Sequence, residues 1–298
     1  MATTNPLVNS LPDYVNQNRL PLLVKSIANG KSAKLFTLQT GVKGETALNI
    51  ISTDVEFGKA SCGWNEQGET ALTQRVLKPA YLEVNMGFCD KKLIGKWAQN
   101  QVSIAADPKA MPFEEEFMDS VADGIASKIE KLIYQGDGDN DNEFDGLIKI
   151  LTDASAPVEN IASGATAYEG IKQVYMALPA EVADKKDAVI LVGSDIFRQF
   201  VQNLVSANQY HWTPTDEYGE YVLPGTACRV IAVEGLNGTK KIIAGRLSNL
   251  FYGVDMEGDS EVMDLWYSKD EREFRLAVEF MAGVQVAFPD EVVVGAFA

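Results

Sequence analysis

The segment from Phe113 to Tyr134 predicts one long α-helix around which the rest of the chain has to fold. Its apolar side chains recur every three or four residues and so share one helix face; they are Phe113, Phe117, Val121, Ile125, Ile129 and Leu132. Other faces carry Asp119, Asp123, Glu130 and Lys131. Pro112 and the acids at 114–116 suit the start of a helix, and Gly136 suits its end. At about 1.5 Å per residue, the helix is roughly 30 Å long.

The residues before this helix predict an arm followed by a β-ribbon. Residues 1–45 mix Asn, Ser, Pro and Gly with short apolar patches, and we expect an extended arm with one helix near Leu20–Ile27. Residues 35–51 predict two strands around a glycine-containing turn. Segments 54–64 and 69–86 predict a long two-stranded ribbon. Because such a ribbon is marginally stable alone, another surface has to cover it.

The remainder of the chain predicts an α/β region followed by closing strands. Apolar periodicity predicts helices at 90–101, 167–179 and 194–208, the last capped by Ser194 or Asp195. The unbroken apolar run at 187–193 predicts a buried strand, and the loop at 152–167 has room for another. Two strands around Asn237-Gly238 predict a β-hairpin. Residues 274–298 predict further strands.

The acidic stretch YQGDGDNDNEFDGL at 134–147 raises the question of a calcium site. An EF-hand loop needs glycine at position six and glutamate at position twelve. Counted from Asp137, those positions hold Asn142 and Ile148, and counted from Asp141, position twelve is Thr152. We therefore interpret the stretch as a solvated loop that leaves the long helix. The alternative is a cation loop formed by Asp137, Asp139, Asp141 and Asp145.

The sequence contains no catalytic constellation, and no cofactor is expected. His211 is the only histidine, and its neighbourhood predicts a loop. The three cysteines, Cys62, Cys89 and Cys228, form no CxxC pair, which argues against a zinc ribbon or a disulfide scaffold. The formal net charge of −16 disfavours conventional nucleic-acid readers and attachment to anionic membranes. No secretion signal or membrane span is apparent, so a soluble protein made in a cytoplasm is expected.

The order of these elements resembles the major capsid proteins of tailed bacteriophages, the Hong Kong 97 fold. FGKASCGWNEQGETALTQRVLKPAYLEVNMGFC resembles the extended loop of that family, and the helix at 113–134 resembles its spine helix. QGDGDNDNEFDGL is similar to the exit from the spine helix into the axial domain. The segments ILVGSDIFRQFVQNL and LPGTACRVIAVEGLNGTKKIIAGRLSNLFYGVD resemble axial-domain elements. DLWYSKDEREFRLAVEFMAGVQVAFPDEVVV resembles the closing strands.

The resemblance implies an α+β capsid fold that is divided along the chain. The implied parts are an N-terminal arm at 1–45, an extended loop at 46–90, a peripheral domain at 91–151 with the spine helix, an α/β axial domain at 152–262, and closing strands of both domains at 263–298. Side chains of the loop are then candidates for contacts between subunits: Lys59, Trp64, Leu72, Val76 and Leu77.

The function implied by the resemblance is structural and not enzymatic. Many copies, as pentamers and hexamers, would build an icosahedral shell around packaged double-stranded DNA without reading its sequence. Scaffolding and portal proteins are the expected partners, no membrane is involved, and assembly is expected in the cytoplasm of a bacterial host. An encapsulin-like compartment shell is the first alternative. A calcium-binding or hydrolytic enzyme is the second.

Overall fold

The computed structural model describes residues 7–28, 30–54, 56–57, 69–106, 113–140, 142–208, 219–255 and 262–298. Its α-helices are α1 Leu7–Gln17, α2 Arg19–Ala28, α3 Lys31–Leu35, α4 Asp90–Ala106, α5 Phe113–Gln135, α6 Leu147–Asp153, α7 Ala167–Ala177, α8 Ala180–Ala183 and α9 Ser194–Ser206. Its strands are β1 Thr37–Thr40, β2 Thr46–Asp54, β3 Glu69–Leu77, β4 Ala80–Cys89, β5 Val158–Ile161, β6 Ala188–Gly193, β7 Glu220–Val222, β8 Arg229–Val233, β9 Lys241–Arg246, β10 Leu250–Val254, β11 Val262–Ser268, β12 Glu273–Val286 and β13 Val293–Phe297. Short 3-10 turns cover Glu234–Leu236, Leu247–Asn249 and Pro289–Glu291.

The predicted long helix is present as α5, and its buried face is wider than the predicted stripe. Phe113, Ile125 and Ile129 of that stripe are buried, while the other three members are half-buried against the same core. Further buried residues lie beside the stripe: Met118, Ala122, Ile133 and Tyr134. Glu130 was expected on a polar face, but it is only 4% exposed. The helix is therefore enclosed on more than one side, as in the centre of a domain.

The prediction of an extended N-terminal arm is wrong for the residues that the structure describes. The helix expected near Leu20–Ile27 is present as α2, but α1 and α3 flank it. Leu11 and Val15 of α1 are fully buried, and α1 and α2 pack against α5. Leucine, valine and isoleucine at helical spacing supply this buried face, and the Asn and Pro residues that suggested an arm lie between its members.

A five-stranded sheet packs with α5 and is built around the long strand β12. β12 pairs antiparallel with β4, β10 and β11, and β1 joins in parallel with β10. Side chains of β12 alternate between buried and half-buried over most of its length, as expected for a sheet with one covered face. The two strands predicted at 35–51 exist as β1 and β2, but they belong to different sheets and do not pair with each other.

The predicted ribbon exists, with a different pairing. β2 pairs antiparallel with β3, in a register that runs from Thr46 opposite Leu77 to Asp54 opposite Glu69. The segment predicted as one strand over 69–86 divides at Lys78-Pro79, and its second half is β4 of the five-stranded sheet. Proline has no N–H to donate to a ladder, which explains the division. The tip at 58–68 lies outside the described residues.

A six-stranded sheet forms the second half of the subunit, in the order β5-β13-β9-β6-β8-β7. β6 is buried throughout, as its apolar run predicts. α7 and α9 pack together on this sheet over a separate apolar core. The predicted segment 152–262 supplies five of these six strands, whereas β10 lies in the five-stranded sheet and β13 comes from the C-terminal segment. Within the described ranges, no helix is both long and apolar enough to cross a bilayer.

The predicted hairpin at Asn237-Gly238 is wrong, because β6 lies between the two strands that it would join. β8 pairs with one edge of β6 and β9 with the other. The connection passes through the 3-10 turn Glu234–Leu236, which packs on α5. Asn237 then accepts a hydrogen bond from the backbone N–H of Ser194 at 2.6 Å. The Asn237 side chain therefore satisfies a backbone N–H at the start of α9, where Gly193 is the N-cap. The prediction of Ser194 or Asp195 as the cap is wrong.

Replacing Ile125 tests the central position of α5. Ile125 is 6% exposed, so Ile125→Ala should lower the free energy of unfolding by about 2–4 kcal/mol through lost burial and a residual cavity. Val102→Ala is the control, because Val102 is an apolar helical residue that is 71% exposed, and its cost should stay within about 0.5 kcal/mol. Urea denaturation of the unassembled subunit measures both. If both substitutions lowered the free energy of unfolding equally, Ile125 would lie outside the core.

Candidate functional site

The outer face of the ribbon carries apolar side chains that none of the described residues covers. This face, defined by Ile51, Leu72, Asn49, Gln74 and Val76, follows from the alternation of side chains along β2 and β3. Ile51 and Leu72 lie opposite each other and are 65% and 75% exposed. Asn49 accepts a hydrogen bond from Gln74 at 2.7 Å, next to half-exposed Val76. A flat cross-strand pair of this kind is typical of a surface that another protein covers.

The root of the ribbon is fixed to the subunit by packing. Leu77 is fully buried and forms a small core with Val42 and Leu48, against which Phe251 packs. The side-chain amide of Gln285 donates to the carbonyl of Val76 at 2.6 Å. These contacts hold the first part of the ribbon, so its direction is set by the five-stranded sheet. Ile50, further along β2, is also buried on the inner face, whereas the outer face beyond the root stays open among the described residues.

The five predicted inter-subunit residues divide into three groups. Leu72 and Val76 lie on the outer face of the ribbon and are exposed. Leu77 was predicted as a contact residue, but burial at the root within its own subunit removes it from that set. Lys59 and Trp64 lie outside the described residues. Sequence reasoning missed Ile51, whose pairing with Leu72 depends on a register that the sequence did not specify.

The acidic loop is closed by a lysine of the same chain. The Lys149 ammonium lies 2.6 Å from Asp137, 3.0 Å from Asp139 and 2.9 Å from Asp145. These hydrogen bonds raise the pKa of Lys149 and lower the pKa of Asp137. The ammonium thus takes the central position that a metal ion would need. Within the described part of the chain, no group of three or more Asp, Glu, His or Cys side chains is arranged for a metal, and Asp141 lies outside it.

Two glycines fold this loop back onto the end of α5. Gly136 donates to the carbonyl of Leu132, and Gly146 donates to the carbonyl of Gly136, each at 2.9 Å. A Cβ at Gly136 would lie 2.2 Å from the carbonyl oxygen of Phe144, so only glycine permits this crossing. Gly136 therefore ends the helix as predicted, but through close backbone contact rather than through a left-handed conformation.

A buried carboxylate joins the N-terminal helices to α5. Glu130 accepts hydrogen bonds from the Ser32 N–H at 3.1 Å and from the Ser32 hydroxyl at 2.5 Å. Since that hydroxyl donates its one proton to Glu130, it accepts from the Tyr134 hydroxyl, also at 2.5 Å. Burial raises the pKa of Glu130, and the Ser32 hydrogen bonds oppose this rise. The pKa of the fully buried Tyr134 hydroxyl is also raised by burial.

The remaining candidates from the sequence show no reactive arrangement among the described residues. Burial raises the pKa of the Cys228 thiol to about 12, which keeps it protonated and unreactive at neutral pH. Cys89 is exposed at the end of β4. His211 and Cys62 lie outside the described residues. The feature of the subunit that is still incomplete is the uncovered ribbon.

The model of the phage capsid family matches residues 104–297, about two thirds of the chain. This match begins in α4 and includes α5, the acidic loop, the whole six-stranded sheet and three strands of the five-stranded sheet, β10, β11 and β12. No curated protein matches the sequence significantly.

Solved capsid structures share the fold at low sequence identity. The satellite phage P4 procapsid, which includes the size determination (Sid) protein, has a TM-score of 0.62 at 10% identity, covering 100% of this chain and 94% of its own. The capsid of an empty GTA particle has a TM-score of 0.58 at 12% identity, with the same two coverages of 100% and 94%. Gordonia phage Cozz has a TM-score of 0.57 at 14% identity, covering 90% of this chain and 86% of its own. The predicted α+β capsid fold is confirmed.

The lysine-closed loop predicts that calcium has little effect on stability. EDTA or added Ca²⁺ should leave the Tm of the native chain unchanged, because Lys149 already neutralises the acids. Lys149→Met should lower Tm, most strongly at low salt, and Ca²⁺ should restore part of the loss. Lys128→Met, at an exposed lysine of α5, is the matched control and should change little. A drop of many degrees in the native chain with EDTA would show that the loop holds a metal.

The buried Glu130 predicts a specific pH dependence of stability. Its folded-state pKa lies above the unfolded value of 4.5, so the stability associated with this group is complete below 4.5 and is lost as pH rises through the folded value. Glu130→Gln removes this loss of stability. The free energy of unfolding of the variant minus that of the native chain should therefore increase from pH 4 to pH 8, as measured by urea denaturation.

Glu169 provides a control of opposite sign. It accepts hydrogen bonds from Thr166 in a capping box, and its pKa is lowered, so its stabilising effect is lost as pH falls. The free energy of unfolding of Glu169→Gln, relative to that of the native chain, should therefore decrease as pH rises from 4. Parallel pH profiles for the native chain and Glu130→Gln would contradict the assignment of Glu130 as a buried carboxylate with a raised pKa.

Proposed function

The chain belongs to the phage capsid family, and from this premise we propose that its ribbon joins each subunit to the next copy in the shell. The protein is a structural major capsid protein of an icosahedral shell, built by association of identical chains. The observation that supports the role of the ribbon is its outer face, where Ile51 and Leu72 are 65% and 75% exposed. A shell subunit needs such a surface, and covering it would give the marginal two-stranded ribbon its missing support.

The energetic contribution of this contact is large enough to control assembly. If a neighbouring subunit covers about 400 Å² of apolar surface, burial at ~25 cal/mol per Å² gives on the order of 10 kcal/mol before ordering costs are subtracted. The residues of the outer face contribute little to the core of their own chain, because Ile51 and Leu72 are exposed in the subunit. The ribbon can therefore be altered without unfolding the subunit.

We extend the proposal to the contents and partners of the shell. The shell encloses packaged double-stranded DNA, and the net charge of −16 suits a container that does not adhere to its cargo. Subunits assemble as pentamers and hexamers in the cytoplasm of a bacterial host, with scaffolding and portal proteins as partners. The match to phage capsids does not favour an encapsulin-like compartment, and the lysine-closed loop gives no support to a calcium-dependent enzyme.

We also propose that the chain divides into the parts that the sequence suggested. The N-terminal segment, helical at Leu7–Leu35 where the structure describes it, covers 1–45, the extended loop 46–90, the peripheral domain 91–151 and the axial domain 152–262, with closing strands at 263–298. The two separate apolar cores support one domain around α5 and one around β6. Limited proteolysis of the unassembled subunit would test the boundaries by the positions of the first cuts.

Charges placed on the outer face of the ribbon test the assembly role. Ile51→Asp combined with Leu72→Asp should leave a folded subunit of nearly native stability, because both side chains are exposed. The same variant should form no closed shells, since burying unpaired carboxylates opposes the contact. Circular dichroism melting measures folding, and sedimentation with negative-stain microscopy measures assembly.

Thr73→Asp is the control for this variant, because Thr73 is exposed on the opposite face of the same ribbon. Shells should form from the control. A second variant, in which Asn-Gly replaces residues 51–72, removes Ile51 and Leu72, keeps the root and should also fold without assembling. Normal shells from the Ile51, Leu72 variant would overturn the proposed role of the ribbon.

A further inference from the structure

The five-stranded sheet has a second face, turned away from α5, that stays open among the described residues. Side chains alternate along β4, β11 and β12, and those that point away from the core are exposed or half-buried. Tyr81 and Trp266 on this face are 47% and 44% exposed. Every charged residue of the three strands also lies on it: Glu83, Asp264, Glu273, Arg275 and Glu279. We refer to these seven residues as the acidic sheet face.

Two carboxylates of this face lie directly opposite each other. Glu83 of β4 pairs with Glu279 of β12 in the antiparallel register. Glu83 accepts a hydrogen bond from the Asn85 side chain, and Glu279 accepts one from the Tyr81 hydroxyl. The hydrogen bond to Glu279 raises the pKa of the Tyr81 hydroxyl, and the charges of both carboxylates act in the same direction. Since like charges at opposite positions destabilise a sheet, this pair is a cost that the fold retains.

The bases near this face bind its other acids. The Arg275 guanidinium bonds to Glu271 and lies 3.5 Å from Glu273. Arg19 lies 3.9 Å from Asp264. Neither carboxylate of the opposed pair forms an ion pair among the described residues. The pair therefore offers uncompensated negative charge on an open surface.

Aromatic rings border the opposed carboxylates along the sheet. The register places Tyr81 opposite Met281 and Trp266 opposite Arg275, with the carboxylate pair between these two rows. The two rows are six residues apart along β12, from 275 to 281, which is about 20 Å at ~3.4 Å per residue. The acidic sheet face thus has the length of a short extended polypeptide segment.

The composition of the face determines which kind of partner fits it. Nucleic acid and anionic lipids would meet charge of their own sign. A second copy bound through the same face, as in a two-fold contact, would bring the Glu83 and Glu279 carboxylates of both copies together. A metal ion or a small polyamine would leave the rings of Tyr81 and Trp266 exposed. A polypeptide segment with both cationic and apolar side chains matches the acids and the rings together.

We propose that the acidic sheet face is the docking surface for a basic segment of a different protein, one that combines arginine or lysine with apolar side chains. A cationic group of that segment lies between Glu83 and Glu279 and removes their repulsion. Its remaining side chains pack on Tyr81 and Trp266, whose ring faces also attract cations. The inference does not depend on the role of the ribbon, because β2 and β3 belong to a different sheet.

Peptide binding to the full-length unassembled chain tests this surface. The probe is a fluorescent peptide of arginine and leucine in equal numbers, and fluorescence anisotropy measures its affinity. Glu83→Gln combined with Glu279→Gln should weaken binding at least about five-fold, because two exposed ion pairs are lost. Trp266→Ala should also weaken binding. Thermal melting checks folding, and the double variant should melt no lower than the native chain, since it removes a like-charge pair.

Glu181→Gln combined with Asp184→Asn is the matched control, because it removes the same charge from two exposed acids at α8. This control should bind the peptide as the native chain does. Equal weakening in both double variants would overturn the proposal, since attraction to the net charge of −16 would then explain the binding. Unchanged affinity in the folded Glu83, Glu279 variant would overturn it as well.

Two further outcomes would assign the face to another occupant and so also refute the proposal. If the Glu83, Glu279 variant builds no shells while the α8 control builds them, the face belongs to a contact between copies. If Mg²⁺ displaces the peptide at an ionic strength at which NaCl does not, the carboxylate pair is a metal site. Sedimentation with negative-stain microscopy measures the first outcome, and anisotropy measures the second.

Discussion

The backbone of α5 meets the six-stranded half of the subunit as closely as a glycine allows. A Cβ on Gly235 would lie 2.2 Å from the carbonyl of Glu130, and the Gln135 side chain donates to the Gly235 carbonyl at 2.6 Å. On its other sides, α5 shares one apolar core with the N-terminal helices and the five-stranded sheet. The Glu130 carboxylate adds a buried hydrogen bond to Ser32. One helix thereby fixes both sheets and the N-terminal helices, which gives the subunit a rigid frame.

The described helices and the two larger sheets bury their apolar faces within the subunit, whereas the outer face of the ribbon stays exposed. Within the subunit, β12 pairs with strands on both sides, and β6 is enclosed between β8 and β9. Among the described residues, β2 and β3 of the ribbon pair only with each other, and their exposed pair Ile51 and Leu72 contributes no burial to the subunit that carries it. A neighbouring copy, as proposed for the ribbon, would give this exposed apolar surface the burial that its own subunit does not. On the proposed role of the ribbon, the residues that stabilise the subunit are thus separate from those that join it to its neighbours.

Elements with strong local signals are predicted correctly from the sequence. Strand pairing and burial that depend on contacts between distant residues are not. The stripe of α5 and the apolar run of β6 are visible because burial repeats at the helical or strand period. Asn237-Gly238 has the local signal of a hairpin, yet β6 separates its two strands, and no local pattern records which strand is a neighbour. Glu130 looks like a surface residue because its partner Ser32 lies 98 positions away. The acidic loop could be excluded as an EF-hand from spacing, but the role of Lys149 required the fold.

A subunit with a net charge of −16 repels its copies at long range, and this repulsion determines how the shell can form. At physiological ionic strength, charges are screened over about 8 Å, so only groups in near contact select a partner surface. In the proposed contact, the exposed apolar pair Ile51 and Leu72 would supply most of the affinity. Exposed ion pairs contribute about 0.2–1 kcal/mol each, too little to hold a shell but enough to favour one orientation over another. In the contact proposed for the ribbon, apolar burial would therefore hold the copies together, and charged groups at its rim would bias their orientation.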